Sequence, residues 1–261
     1  QDYGIEVIKE AAGVGQNLQD HYQIRTIVRL QGKQSLNDQV RNPFKLAQMG
    51  LQWLLRASGP LTVGAGQVGG GVMTRYAHDK RPDVQLNVMP LSVDKPGQPL
   101  HRFSGFTAGA WQCHPESRGE LNIQSADPMQ QPRIEPRYLS HEMDRNVMVE
   151  SVKIIRGIYA QPAFRNLWNK EMVPGAEIET DDELLDYVRQ TGGTVFHPVG
   201  TCRMGQDDSA VVDPQLRVNG VHGLRVIDAS VMPTVTSANT NAPTLMIAQK
   251  GADTIVREYS L

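Results

Sequence analysis

At 261 residues, with a net charge of −2, 39% hydrophobic and 21% charged residues, the chain can bury the core of one large or two small domains. No block of like charge suggests a nucleic-acid surface or a basic membrane face, and no run approaches the roughly 18 apolar residues of a membrane span. Two cysteines, Cys113 and Cys202, make no disulfide framework and no Asn-x-Ser/Thr acceptor occurs, which points to a reducing, cytoplasmic compartment.

Gln1 stands first and no signal-peptide core follows it, so a processed, trimmed or partial chain is expected. Ile5-Glu6-Val7-Ile8 alternates as a short strand would, until Gly13-Val14-Gly15 breaks it. Asn42-Pro43 opens a helix to about Arg56, with Asn as cap and Pro in the first turn, and Gly59-Pro60 ends it. Val84, Leu86 and Val88 alternate with polar residues, and Leu121 and Ile123 do the same, which predicts a half-buried antiparallel sheet. Ser140 caps a predicted helix to about Tyr159, with Val147, Met148, Val152 and Ile155 on one face. Thr180-Asp181-Asp182-Glu183 is a capping box, and its helix stops near Gly192. Val226-Ile227 reads as a short buried strand, and Pro243 opens a last helix. Strands gathered in the middle, with helices beside them, give the α+β class.

Four patterns are weighed against chemistry. Gly64-Ala65-Gly66-Gln67-Val68-Gly69 matches the dinucleotide-binding spacing, with Asp83 near the acidic position, but no buried strand precedes it and further glycines would weaken a following helix, so a flexible loop is expected. Gly13-Val14-Gly15-Gln16-Asn17-Leu18 lacks the third glycine. No Gly-x-Ser-x-Gly elbow accompanies His197 and Asp228, which argues against a serine hydrolase. His197 and Cys202 have no second ligand pair, so no metal site is expected. His21, His78, His101, His114, His141 and His222 read as surface or ordinary hydrogen-bonded residues.

His197 itself lies in Gly192-Gly193-Thr194-Val195-Phe196-His197-Pro198-Val199-Gly200-Thr201. Pro198 and the glycines shape the backbone around it, and an imidazole that titrates near neutrality suits proton abstraction. The residues alone leave two readings open, a core imidazole and a general base.

The stretches Gly13–His21, Pro115–Leu139 and Gly192–Ala252 resemble the glucose-methanol-choline oxidoreductases, and most of all the bacterial choline-dehydrogenase-like or alcohol-dehydrogenase branch. Phe196-His197-Pro198-Val199-Gly200-Thr201 and the segment from Asp228-Ala229-Ser230 to Asn239-Thr240-Asn241-Ala242-Pro243 carry most of the likeness. The resemblance implies FAD-dependent oxidation of a small-molecule alcohol to an aldehyde. His197 would be the base and Asn239 the second active-site position. Asp228, Ala229, Thr240, Asn241, Pro243 and Thr244 would face the cofactor. It also implies that the chain is a C-terminal half, without the family's N-terminal βαβ unit and phosphate loop. That missing FAD-binding half would then be its partner, and the fragment alone would bind FAD weakly and be inactive. The expected divisions are a connecting segment over 1–25, a substrate-binding domain over 26–190 with an antiparallel sheet flanked by helices, and a return to a Rossmann-like FAD domain over 191–261. The competing reading is a stand-alone substrate- or protein-binding module without catalysis.

Overall fold

The computed structural model describes residues 1–260 except 33, 34, 63, 65, 96 and 165. The chain forms two compact units, one from residues 1–22, 113–145 and 194–261, the other from 23–112 and 146–193. The sequence reading divides the chain at 25/26 and 190/191.

The second unit is built on an antiparallel sheet. β1 (Tyr22–Leu30), β2 (Val68–Val72), β3 (Val84–Met89), β4 (Gly105–Gln112) and β7 (Trp168–Val173) lie in the order β2-β3-β4-β1-β7. β4 is central and buried along its whole length. In β1, Ile24, Thr26 and Val28 are buried and alternate with the less buried Gln23 and Arg25, the period-two pattern of a strand. Two helices, α1 (Leu36–Arg41) and α2 (Pro43–Arg56), follow β1. The Asn42 side chain accepts from the backbone of Phe44 and Lys45, so α2 begins at the predicted cap.

Helix α3 (Glu142–Tyr159) buries Val147, Met148, Val152, Ile155 and Tyr159. Tyr159 ties it to the sheet, with its hydroxyl 2.6 Å from Thr26 Oγ1 and its ring edge-on to Phe106. Arg156 makes a multidentate polar tie in this unit. Its guanidinium donates to the buried Glu171 carboxylate at 2.7 Å and to the carbonyls of Gly175 and Ile178. Helix α4 (Asp181–Thr191) starts in the predicted capping box of Thr180 and Glu183 and ends before Gly192.

In the first unit, β5 (Glu120–Asn122) pairs with β6 (Arg133–Glu135). Helix α5 (Asn241–Tyr259) packs on a short 3-10 turn, Ala229–Val231. Val211, Val212, Leu216 and Val231 form one apolar cluster, and Val199, Met232 and Val235 another, with Ile247 of α5 packed against both.

Four sequence expectations are corrected. Residues 5–8 form no strand: Ile8 is 93% exposed, and alternation without a pairing partner makes no sheet. Val226-Ile227 is not a strand either. It is only partly buried, and the single nearby bridge joins Arg217 to Arg225. Helix α3 starts at Glu142 rather than directly after Ser140, because the first helical bond runs from Arg145 back to His141. The glycine-rich stretch expected to be a loop is partly sheet. Val68–Val72 pairs with β3, and glycine permits close approach there, since a Cβ on Gly69 would lie 2.8 Å from the Leu86 carbonyl oxygen and one on Gly71 2.8 Å from Pro82. Ala65 of that motif lies outside the described residues.

Replacing Arg156 with Met leaves the Glu171 charge buried and unpaired, so unfolding free energy should fall by about 3–5 kcal/mol. Urea titration of the variant reads this directly, and a second replacement, Glu171→Leu, should restore most of the loss.

Candidate active site

The first unit assembles its polar centre by backbone pairing. Gln19 and Val199 exchange both hydrogen bonds, at 3.0 and 2.9 Å, in an antiparallel bridge. The same register sets residue 21 opposite residue 197. Amide side chains on either side lock this bridge in place. Asn17 donates to the carbonyls of Gly200 and Pro233, and Gln19 donates to Pro233 and accepts from the Val235 backbone. The two residues thereby hold the His197 loop and the segment that leads to Asn239. Gly200 has φ +97°, and a Cβ there would lie 2.4 Å from the Asn17 carbonyl oxygen, so glycine is required at that close approach.

Asp20 fixes the loop from the other side. Its buried carboxylate accepts from the His197 backbone N–H at 2.9 Å, from the Tyr138 hydroxyl at 2.5 Å and from the Thr194 hydroxyl. Burial and the hydrogen bond to Asp20 both push the Tyr138 phenol above its ordinary range, so it stays a donor. Phe196 takes a left-handed backbone at φ 63° and is 81% exposed. That turn throws the phenyl ring outward and directs the next residue inward.

Two imidazoles meet at the centre. His21 is completely buried, and its Nδ1 lies 2.9 Å from Nδ1 of His197, with the rings edge to face. On the far side of His21, Nε2 donates to the Cys113 carbonyl oxygen at 3.2 Å. Burial drives the His21 pKa down to about 4, overriding the Cys113 and Thr236 carbonyls and the Asp20 charge, which favour protonation. Burial also lowers His197, against a smaller opposing pull from Asp20. Both rings are therefore neutral at neutral pH. On its other edge, His197 Nε2 accepts from the Asn239 amide Nδ2 at 3.0 Å.

The structure thus brings together His197 and Asn239, which are 42 residues apart in sequence. His21, read from the sequence as an ordinary hydrogen-bonded histidine, is the member of this cluster that sequence reasoning did not single out. The signal available for it was its place at the end of Asn17-Leu18-Gln19-Asp20-His21. Asp228 caps the 3-10 turn by accepting from the backbone and hydroxyl of Ser230, with Ala229 opening that turn. Thr240 precedes α5 and gives it no side-chain cap. Asn241 and Ala242 follow, both exposed, and then Pro243 and Thr244, whose hydroxyl donates back to the Thr240 carbonyl. The candidate cofactor residues therefore lie on α5 and on the turn that it packs against. Among the described residues, no group of three or more His, Cys, Asp or Glu is placed to hold a metal, and no helix is long and apolar enough to cross a membrane.

A buried pair of neutral imidazoles beside an amide, on a mixed helix and antiparallel-sheet fold, has the chemistry to accept or hold a proton. Residues 115–248 match the sequence profile of the GMC oxidoreductases, and the chain belongs to that family. It is similar to an alcohol dehydrogenase [acceptor] of Pseudomonas putida, 36% identical over all of this chain and 47% of that protein. It is also similar to an oxygen-dependent choline dehydrogenase of Brucella canis, 35% identical over 98% of this chain and 47% of that protein. Among solved structures, a formate oxidase of Aspergillus oryzae RIB40, described for a mutation's effect on FAD modification, matches with a TM-score of 0.90. It is 25% identical over 99% of this chain and 50% of that one. The chain spans about half the length of the curated relatives it matches.

Because the folded pKa of His21 is lowered to about 4, the unfolded chain binds its proton first as pH falls. Stability rises with pH across that window, and His21 alone should cost on the order of 3 kcal/mol between pH 6.5 and 4. Urea unfolding at pH 7 and at pH 4.5 measures it against His21→Asn, which should show the smaller loss. Equal losses would assign the pH dependence elsewhere.

Proposed function

We propose that this chain carries the proton-handling part of an FAD-dependent alcohol oxidoreductase that converts a small-molecule alcohol to an aldehyde. The observation that carries the reading is His197 Nε2 at 3.0 Å from the Asn239 amide, on a neutral ring clamped by Asp20 and His21. Support also comes from family membership and from relatives described as alcohol and choline dehydrogenases.

The residues present fit the cofactor that the resemblance implies. Helix α5 starts without a side-chain cap, and Asn241 and Ala242 stand exposed at its first turn. Unbonded amides and the positive end of the helix dipole suit the electron-rich edge of a flavin. Asn241, Pro243 and Thr244 would lie along that edge, with Thr240 at the cap. Asp228 and Ala229 would approach from the neighbouring turn, where the small Ala229 side chain leaves room. Bound FAD supplies the acceptor for the hydride that leaves the α-carbon.

The chain's own part is the proton. His197 Nε2 takes it from the substrate hydroxyl as the C–O bond becomes C=O. The lowered pKa leaves the ring unprotonated and ready at neutral pH. An amide cannot remove that proton; the substrate hydroxyl would displace the Asn239 N–H from the single lone pair on His197 Nε2, and Asn239 would then donate to the substrate oxygen and hold it against the imidazole. In this reading the unit containing the antiparallel sheet is the substrate-binding domain, and the last 70 or so residues belong to the cofactor domain.

In the flavin-loaded enzyme, His197→Ala should slow substrate-driven flavin reduction by roughly 10²–10⁴-fold, read by stopped-flow absorbance. Unchanged reduction would remove His197 as the base. Asn239→Ala removes one hydrogen bond to a developing charge, worth about 1.5–3 kcal/mol, and should slow the same step by roughly 10–100-fold. Since burial lowers the His197 pKa, kcat/KM should fall with acid only below the ordinary imidazole range.

A further inference from the structure

We propose that His21 is a positioning residue that fixes the tautomer of His197: its Nε2–H donates to the Cys113 carbonyl, and its bare Nδ1 accepts the Nδ1–H of His197. The inference rests on the reading of His197 as base and says why that ring can act as one.

The argument starts from what each atom can do. A carbonyl oxygen only accepts, so the 3.2 Å contact to Cys113 is a hydrogen bond only if His21 carries its proton on Nε2. A neutral imidazole has one N–H, so His21 Nδ1 is then an acceptor. The 2.9 Å Nδ1–Nδ1 contact needs a proton between the two nitrogens, and His197 must supply it. His197 therefore keeps its lone pair on Nε2, where the Asn239 amide donates and where a substrate hydroxyl would come. The reverse arrangement would set a bare His21 Nε2 against the Cys113 oxygen, two acceptors face to face in a buried place. A histidine in water prefers its proton on Nε2, which is the wrong nitrogen for this base.

The order of the chain serves the same end. The bridge between Gln19 and Val199 aligns residues 21 and 197, and Asp20 pins the His197 backbone, so the ring edges meet at one angle. Once His197 accepts the substrate proton, its Nδ1–H still rests on His21. Passing that second proton on would create a cation at a fully buried position, so the charge stays on His197.

Two replacements of His21 separate this role from packing. Asn places a carbonyl oxygen close to where Nδ1 stood and can still accept from His197, whereas Leu fills the space and cannot. In flavin-loaded protein labelled with 15N-histidine, imidazole spectra should report Nδ1–H for His197 and Nε2–H for His21. His21→Leu should move His197 to Nε2–H and slow flavin reduction by roughly tenfold or more, and His21→Asn should hold both close to the starting protein. Nε2–H on His197 in the unaltered protein overturns the inference, as does an equal loss of rate with Asn and Leu. The unaltered spectrum decides alone if the Leu protein does not fold. Loss of the base assignment would instead be seen as undiminished flavin reduction in His197→Ala, so the two failures are distinct.

Discussion

The carboxylate of Asp20 is the constraint on which the site depends. It is buried, and a buried carboxylate is costly unless donors surround it. Three do, and they come from distant parts of the chain: the backbone N–H of His197, the hydroxyl of Thr194 and the hydroxyl of Tyr138. Each donor satisfies the charge only while its own segment stays in place. The need to solvate one anion thus becomes a set of positional restraints on the loop that bears His197. Asn17 and Gln19, on the same short stretch as Asp20, extend those restraints to Gly200, Pro233 and Val235.

An anion this close to two imidazoles favours their protonated forms, but burial outweighs it at both rings. The carboxylate is already occupied by three donors, and the rings are screened from water, so desolvation of an imidazolium costs more than the attraction returns. The outcome suits a base: neutral nitrogen on a rigid frame. The same stretch, Asn17 to His21, supplies the amide clamps, the carboxylate and the second imidazole.

Local chemistry made the helices legible. Asn42-Pro43 and the Thr180 capping box each announce a helix start through hydrogen bonds made within three residues, and Pro243 falls in the first turn of α5, which begins two residues earlier at Asn241. The central strand β4 was silent. Gly105-Phe106-Thr107-Ala108-Gly109-Ala110-Trp111-Gln112 is buried on both faces, so polar and apolar residues have no reason to alternate. Ile5 to Ile8 and Val226-Ile227 erred the other way, with strand-like composition and no partner. His197 and Asn239 were readable because each sits in a dense local motif. His21 was not, since its meaning comes from a ring 176 residues away. Pairing across that distance is set by the Gln19–Val199 bridge, which leaves no periodic trace.

The unit that holds both imidazoles is drawn from three separated stretches of chain. Its ordering in time follows from that layout. On a ribosome, residues 17–21 emerge before the stretch from Thr194, so their amides and carboxylate stay solvated by water while the intervening sheet is synthesised. Only when the stretch from Thr194 onward appears can His21 be sealed from solvent. The sheet-bearing unit draws nothing from beyond residue 193 and can form first. The cluster of Asp20, His21 and His197 is then completed only after the sheet-bearing unit is able to form.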